Sequence, residues 1–139
     1  MIASKTVVDS WAWVELFKGS AYGKTAKERI EESEDTFTPS LVLAELARKY
    51  LREGEGHAKI RKWLQSISEA TQVIEIDVSL AEESAKTSIE LVNKARDEGI
   101  RKPGLADGVV LATARVCRAN LLTGDPHFKG LPETFWLGE

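Results

Sequence analysis

The sequence predicts an α/β protein, a three-layer α/β/α sandwich around a short parallel sheet. Short apolar segments, typical of buried strands, alternate with longer helical segments along the chain. This alternation indicates βαβ units, in which helices cover a parallel sheet. The 139 residues, 42% of them hydrophobic, suffice for one core, and no repeat or Pro/Gly-rich linker divides them. We therefore expect a single domain over residues 1–139.

The first strand and two helices are predicted near the start of the chain. The apolar run of residues 5–10 (KTVVDS) predicts a buried strand that ends at Asp9. A helix follows over residues 10–19, with Ser10 as its N-cap and a glycine as its stop. The interleaved acids and bases of residues 21–35 predict a second, charged helix.

The middle of the chain continues the alternation. Residues 36–40 (TFTPS) predict a very short strand, and the proline–serine pair at its end opens a helix over residues 40–56. Residues 58–70 predict a further helix, and residues 72–76 (QVIEI) predict the third strand.

The last third of the chain begins with a long amphipathic helix over residues 79–99. An apolar helix follows over residues 102–119, and residues 120–124 (NLLTG) predict the fourth strand. A loop over residues 125–130 leads to a last short strand over residues 134–138.

Composition narrows the class of protein. Cys117 is the only cysteine, which excludes an internal disulfide and a thiolate metal site. The net charge of −3 argues neither for nor against nucleic acid. The first ten residues lack the basic flank and apolar run of a signal peptide, and no apolar stretch approaches the roughly 18 residues that span a bilayer. We therefore expect a cytoplasmic protein with no membrane partner.

Four acids lie where this fold places its ligands. Parallel sheets bind ligands beyond the carboxyl ends of their strands. Asp9 ends the first strand and Asp125 follows the fourth, while Asp107 lies in the first turn of the apolar helix and Glu45 projects from an apolar helix face. Each acid also has an ordinary interpretation: a turn or cap for Asp9 and Asp125, a helix-dipole acid for Asp107, and an ion-paired edge residue for Glu45.

A divalent cation explains the four acids together. Unpaired carboxylates at one sheet edge would repel one another and raise one another's pKa values. Mg²⁺, or Mn²⁺, prefers such oxygen ligands and removes the conflict. A zinc site is disfavoured because neither cysteine ligands nor a histidine pair is present. The sequence therefore predicts a site for one or two Mg²⁺ or Mn²⁺ ions.

Four segments carry a resemblance to a known family: VVDSWAWVELF (7–17), TPSLVLAELARKY (38–50), LADGVVLATA (105–114) and NLLTGDPHF (120–128). In order and spacing they resemble the motifs of PIN domains, most closely those of VapC-type toxins of VapBC toxin–antitoxin modules. The resemblance covers nearly the whole chain. It implies a PIN-like α/β/α fold and a metal-dependent endoribonuclease whose products carry a 5′-phosphate and a 3′-hydroxyl. The implied catalytic, metal-binding acids are Asp9, Glu45, Asp107 and Asp125.

The resemblance also implies supporting residues and departs from the family at two positions. Ser10 and Thr123 match small hydroxyl residues of the motifs, and we expect them to order waters, carboxylates or a phosphate. Gly108 stands where alanine is frequent, and Gly124 where a basic residue is frequent. The second departure removes a phosphate contact but puts none of the acids in doubt.

The partners implied by the resemblance are RNA, a VapB-type antitoxin and a second copy of the chain. Trp11, Trp13 and Phe17 crowd the first helix, and core packing is the default for most of these aromatic rings. An exposed ring among them is expected to line an apolar groove for the antitoxin. Basic side chains are expected near the rim of the site, although each is equally explained as a solvated helix face: Arg48, Lys49, Arg52, Lys59, Arg61 and Lys62.

Other functions remain open at the level of sequence. One is a PIN nuclease that processes ribosomal RNA or turns RNA over, and another is a non-catalytic PIN-fold binding module. A haloacid dehalogenase-type phosphatase is disfavoured, because it needs a second acid two residues after the first and Trp11 stands there. His57 is interpreted as an exposed helix-start residue. His127, two residues after Asp125, has two interpretations: a structural loop residue, which we favour, and a residue that contacts the substrate.

Overall fold

The structure is a computed structural model that describes residues 4–139. Residues 1–3, which belong to the segment in which no signal peptide is predicted, lie outside this range. The described residues form five strands: β1 (Lys5–Val8), β2 (Asp35–Pro39), β3 (Gln72–Ile74), β4 (Asn120–Thr123) and β5 (Thr134–Trp136). They also form six α-helices: α1 (Ser10–Lys18), α2 (Ala21–Glu32), α3 (Ser40–Arg52), α4 (His57–Ala70), α5 (Val78–Glu98) and α6 (Leu105–Val116). A short 3₁₀ helix spans Pro126–Phe128.

The five strands form one parallel sheet in the order β3-β2-β1-β4-β5. Val7 of the central strand β1 is aligned with Phe37 of β2 on one side and Leu121 of β4 on the other. Strands β2 and β3 lie on one side of β1, and the later strands β4 and β5 lie on the other side. The strand order therefore reverses between β1 and β4. The carboxyl ends of these two strands therefore flank the position at which parallel sheets bind ligands.

Both faces of the central strand are covered. Consecutive side chains of a strand point to opposite faces of the sheet. Thr6, Val7 and Val8 are all fully buried, so apolar layers lie against both faces of β1. This arrangement confirms the predicted α/β/α class with a short parallel sheet.

Helices α5 and α6 pack closely, and Gly108 permits that approach. A Cβ atom at Gly108 would lie 2.8 Å from the Ser88 Cβ and 2.9 Å from the Ser84 carbonyl oxygen. The Thr87 hydroxyl of α5 donates a 2.6 Å hydrogen bond to the Gly108 carbonyl. This contact anchors the first turn of α6, which carries Asp107.

Several predicted boundaries were wrong by a few residues. The N-cap of α1 is Asp9 rather than Ser10, because the Asp9 carboxylate accepts the Ser10 backbone N–H. Helix α6 begins at Leu105 rather than at residue 102, since the chain through Pro103 is non-helical and Gly104 is the N-cap. Helix α3 already ends at Arg52. Within the described part of the chain, every helix is too short or too polar to cross a membrane.

Candidate functional site

Four different segments bring the predicted acids to the carboxyl edge of the sheet. Asp9 directly follows β1, and Asp125 lies two residues after the last residue of the adjacent strand β4. Asp107 lies in the first turn of α6, and Glu45 lies in the middle of α3. The charges of Asp125, Glu45 and Asp107 all raise the pKa of Asp9, so the four acids face one region.

Asp9 is the most buried of the four acids, with 3% of its surface exposed. Its Oδ1 accepts the Ser10 backbone N–H at 2.8 Å, and its Oδ2 accepts the Thr123 hydroxyl at 2.8 Å. Burial raises the pKa of Asp9 to about 7, the Thr123 hydrogen bond opposes that rise, and the neighbouring carboxylates add to it.

Thr123 connects two of the acids. Its Oγ1 donates to Asp9 and accepts the Asp125 backbone N–H at 3.0 Å. The hydroxyl is fully buried at the end of β4. Ser10 Oγ lies farther from Asp9 Oδ1, at 3.5 Å, so the backbone of Ser10 makes the stronger contact.

Asp107 caps the first turn of α6 from its own side chain, while the N-cap residue Gly104 has no side chain to return the contact. Its Oδ2 accepts the Gly104 backbone N–H at 3.1 Å, which satisfies a donor that the helix leaves unpaired. Burial and the Asp125 charge raise the pKa of Asp107, while the Gly104 hydrogen bond and the positive charges of His127 and Arg101 lower it. The net shift is upward.

His127 holds Asp125 to the loop between α5 and α6. Asp125 Oδ1 accepts the His127 backbone N–H at 3.0 Å and lies 2.8 Å from His127 Nδ1. His127 Nε2 lies 2.6 Å from the Arg101 carbonyl oxygen, and because a carbonyl only accepts, Nε2 carries a proton. Burial lowers the pKa of His127, but the Arg101 carbonyl and the Asp125 carboxylate outweigh it and the net shift is upward.

The tightest group differs from the predicted one. Ligand atoms of Asp107, Asp125 and His127 lie within 4.8 Å of one another, whereas Asp9 and Glu45 are not members of that group in the described chain. The sequence favoured a structural loop role for His127, with contact to the substrate as the alternative. Its position two residues after Asp125 was the available signal, but the Arg101 carbonyl that it contacts lies 26 residues away in sequence.

Glu45 stands at the margin of the acidic group. Burial raises its pKa, the Asp107 charge adds to the rise, and the Arg48 charge opposes it. Within the described residues, neither oxygen of Glu45 accepts a hydrogen bond, and Asp125 Oδ2 and Asp107 Oδ1 are likewise without donors. The acids therefore keep oxygens available at a shared edge, which fits a hard divalent cation. The two nitrogens of His127 are already engaged and do not fit that role in this arrangement.

An open cleft of about 500 Å³ leads to the acids. Ser10 and Trp11 of α1 line one side, and Glu45 of α3 and Asp125 lie with them. Three of the six expected rim cations line the same cleft: Arg48, Lys49 and Arg52. The other three lie on α4 outside it, where Lys59 is ion-paired with Glu55.

A second cleft, of about 630 Å³, lies at the opposite, amino-terminal edge of the sheet. Lys5, Arg29 and Arg118 line it, together with Arg115. Arg115 forms ion pairs with Glu90 and Glu133 at 2.7 Å, which cancels much of the positive charge there. We therefore regard the acidic edge as the candidate site, although its cleft is the smaller one.

Fold and site together define an α/β protein with a carboxylate cluster at the reversal point of a parallel sheet. A family model for the PIN domain matches residues 6–133. The chain belongs to the PIN-domain family, which confirms the resemblance described above. A search of curated proteins found no match.

Solved structures with the same fold include toxin–antitoxin proteins. A toxin–antitoxin complex from Klebsiella pneumoniae is 21% identical with a TM-score of 0.68, over 96% of this chain and 98% of that chain. Mycobacterium tuberculosis VapC20, a Sarcin-Ricin loop cleaving toxin, is 20% identical with a TM-score of 0.69, over 93% and 96%. VapBC-1 from nontypeable Haemophilus influenzae is 15% identical with a TM-score of 0.69, over 95% and 96%.

Proposed function

We propose that the protein is a divalent-metal-dependent endoribonuclease and the toxin of a toxin–antitoxin pair. One observation carries the proposal: four carboxylates from distant segments face one sheet edge, where burial and mutual repulsion raise the pKa values of Asp9, Glu45 and Asp107. Such a cluster is costly unless a cation binds there. The structural neighbours, among them a Sarcin-Ricin loop cleaving toxin, support the nuclease class.

The proposed ligands of one or two Mg²⁺ or Mn²⁺ ions are Asp9, Glu45, Asp107 and Asp125. When bound, such an ion activates a water molecule and stabilises charge on a phosphodiester undergoing in-line displacement. Ser10 and Thr123 hold the Asp9 carboxylate through its two oxygens. His127 holds Asp125 through one carboxylate oxygen, and the Gly104 backbone N–H holds Asp107 through one carboxylate oxygen.

The cleft supplies positive charge for the approach of an RNA strand. Arg48 and Arg52 project from the helix that carries Glu45, and both line the cleft. Lys49 lines it too but is ion-paired with Glu53. We propose that the two arginines contact phosphates, so that binding of RNA weakens as the salt concentration rises.

An apolar groove supports the proposed antitoxin partner. It encloses about 240 Å³ between α1, α2 and α4. Its apolar lining comprises Trp13, Leu16, Phe17, Ile30 and Ala70. A VapB-type antitoxin is proposed to lay an apolar segment along this groove.

A homodimer is also proposed. Large apolar side chains are exposed on the two helices that pack together, α5 and α6: Val78, Ile89, Leu105 and Val116. Light scattering of the purified protein tests this assignment, and a monomer at micromolar concentration would contradict it.

Expression in a bacterial host tests the proposed function. We expect wild-type protein to arrest growth and to generate new 5′-phosphate ends in total RNA, and Asp107→Asn to do neither. Asp97→Asn, which changes an exposed acid of α5, is the matched control and should behave as wild type. Equal arrest by Asp107→Asn and wild type would remove Asp107 from the mechanism.

Further observations separate the two other functions. RNA cleavage by the purified protein, without growth arrest on expression, favours a nuclease of RNA processing or turnover. A small antitoxin gene immediately upstream favours the toxin. RNA cleavage that is insensitive to chelator and to Asp9→Asn contradicts the metal-nuclease proposal, and complete absence of cleavage favours a non-catalytic binding module.

A further inference from the structure

Trp11 occupies a different environment from the other aromatic residues of α1. Trp13 is only 3% exposed, and its indole N–H donates to the Thr38 hydroxyl in the interior. Phe17 stacks between Trp13 and Trp63. Trp11 is half-buried and lines the acidic cleft together with Glu45 and Asp125. Its ring therefore packs at the margin of the core and also reaches the candidate site.

Gly124 supports the Trp11 ring beside the acids. A Cβ atom at Gly124 would lie 2.5 Å from Cη2 and Cζ2 of Trp11, so the ring packs directly on the backbone between Thr123 and Asp125. Tyr22 of α2 tilts against the same ring, with a centroid distance of 5.6 Å. These two contacts fix the indole one residue away from a candidate metal ligand.

The surface of Trp11 toward the cleft retains hydrogen-bonding capacity. Its indole N–H has no partner among the described residues and is not one of their fully buried unpaired atoms, so solvent reaches it. Arg48 and Arg52 line the cleft with it. An aromatic face combined with basic side chains along a groove is the arrangement that binds single-stranded nucleic acid, because every unpaired base offers a face for stacking.

We propose that Trp11 stacks on one unpaired base of the RNA strand, next to the phosphate held at the acidic site. The inference rests on the proposed nuclease function and narrows its substrate to single-stranded segments or loops, since bases within a duplex are stacked on each other. Trp11 is a substrate-binding, specificity-determining residue in this account. Gly124 is a positioning residue, because any side chain there displaces the ring.

The test measures RNA binding by fluorescence anisotropy in an Asp107→Asn background, which keeps the RNA intact and leaves Trp11, Arg48 and Arg52 of the cleft unchanged. The probes are a short fluorescein-labelled oligouridylate and a set of the same oligomers with a single abasic nucleotide at successive positions. The protein variants add Trp11→Leu, which removes the aromatic face, or Trp11→Phe, which keeps one. Trp63→Leu, at a half-buried tryptophan of α4 packed on Phe17 and Tyr50, is the matched control.

We expect Trp11→Leu to weaken binding of the intact oligomer on the order of ten-fold, and Trp11→Phe and Trp63→Leu to retain most of the affinity. One abasic position should weaken binding to the parent protein by the same factor and should cause no further loss with Trp11→Leu. Gly124→Ala should weaken binding in the parent but not in the Trp11→Leu background. Thermal unfolding of each variant verifies that it is folded.

Four results would overturn the inference. Trp11→Leu that binds and, with Asp107 restored, cleaves RNA as well as wild type removes Trp11 but leaves the proposed nuclease standing. If Trp11→Leu weakens binding of the intact oligomer and of every abasic oligomer by the same factor, Trp11 has a structural role. If Trp11→Leu weakens only the binding of an antitoxin protein, the ring belongs to the interface with that partner. A parent protein that neither binds nor, with Asp107 restored, cleaves RNA defeats the proposed function and the inference together.

Discussion

The Thr123 hydroxyl donates a 2.8 Å hydrogen bond to Asp9 Oδ2, joining residues at the ends of two adjacent strands. The Thr123 hydroxyl oxygen also accepts the Asp125 backbone N–H at 3.0 Å. A buried hydroxyl therefore sets the relative position of two candidate metal ligands. It also lowers the pKa of Asp9 against the larger effect of burial.

Replacing Thr123 by valine removes this hydroxyl and keeps the shape of the side chain. We expect RNA cleavage at neutral pH to fall on the order of ten-fold. The pKa of Asp9 should rise further, because a hydrogen bond to its charged form is lost. The acidic limb of the pH–rate profile should therefore move to higher pH. Thr123→Ser retains the hydroxyl and should leave the limb in place, and an unmoved limb in Thr123→Val would contradict the role.

His127 is expected to matter for metal affinity although it is not a proposed ligand. It fastens Asp125 to the Arg101 carbonyl in the loop that leads to Asp107. His127→Phe removes both contacts of the imidazole, and we expect affinity for Mn²⁺ to fall by about 10- to 100-fold, as measured by calorimetric titration. His57→Phe, at the exposed start of α4, is the control and should bind as wild type. Equal affinities for the two variants would exclude the positioning role.

The stability of the metal-free protein should fall as the pH rises. The pKa of Asp9 is about 7 in the folded protein and 3.8 in the reference state. The unfolded chain thus loses this proton first, and the free energy of unfolding declines from about pH 4 to about pH 7. The upward shifts of Glu45 and Asp107 act in the same direction.

Asp9→Asn should flatten this decline and stabilise the metal-free protein above pH 7, by at most about 4 kcal/mol. Urea unfolding in the presence of a chelator across this pH range measures the effect. Asp97→Asn should leave the pH dependence unchanged. A wild-type stability that rises over this range would contradict the claim that burial without a cation raises the pKa of Asp9.

Gly108 is expected to be a packing position. Gly108→Ala places a methyl group within 3 Å of the backbone and Cβ of α5, so the two helices must move apart. We expect the free energy of unfolding to fall by about 1–3 kcal/mol in urea titrations. A Gly108→Ala protein as stable as wild type would show that α5 and α6 tolerate the separation.

The fold and the general location of the site could be predicted from the sequence, because they depend on local pattern. The alternation of apolar strands with amphipathic helices predicted the parallel sheet. Its carboxyl edge then placed Asp9 and Asp125 together. The glycine at position 108 was noticed only as a departure from a motif, and its steric reason requires the neighbouring helix α5.

The details that could not be predicted depend on contacts between distant segments. The hydrogen bond from His127 to the Arg101 carbonyl requires the register between two loops, which no local pattern encodes. Gly124 was noted in the sequence only as a position without a basic side chain. That the Trp11 ring lies against it could not be predicted, because the two residues are distant in sequence. The N-cap of α1 was assigned to Ser10 because serine is a common cap, whereas Asp9 both ends the strand and caps the helix.

Titration of the metal-free protein with Mn²⁺, followed by electron paramagnetic resonance, tests whether the acids at the sheet edge bind a cation. We expect saturable binding of one or two ions to wild type and to Asp97→Asn, and loss of that binding in Asp107→Asn and Asp125→Asn. Wild type that binds no Mn²⁺, or substituted proteins that bind it as wild type does, would contradict the claim that these acids form a cation site.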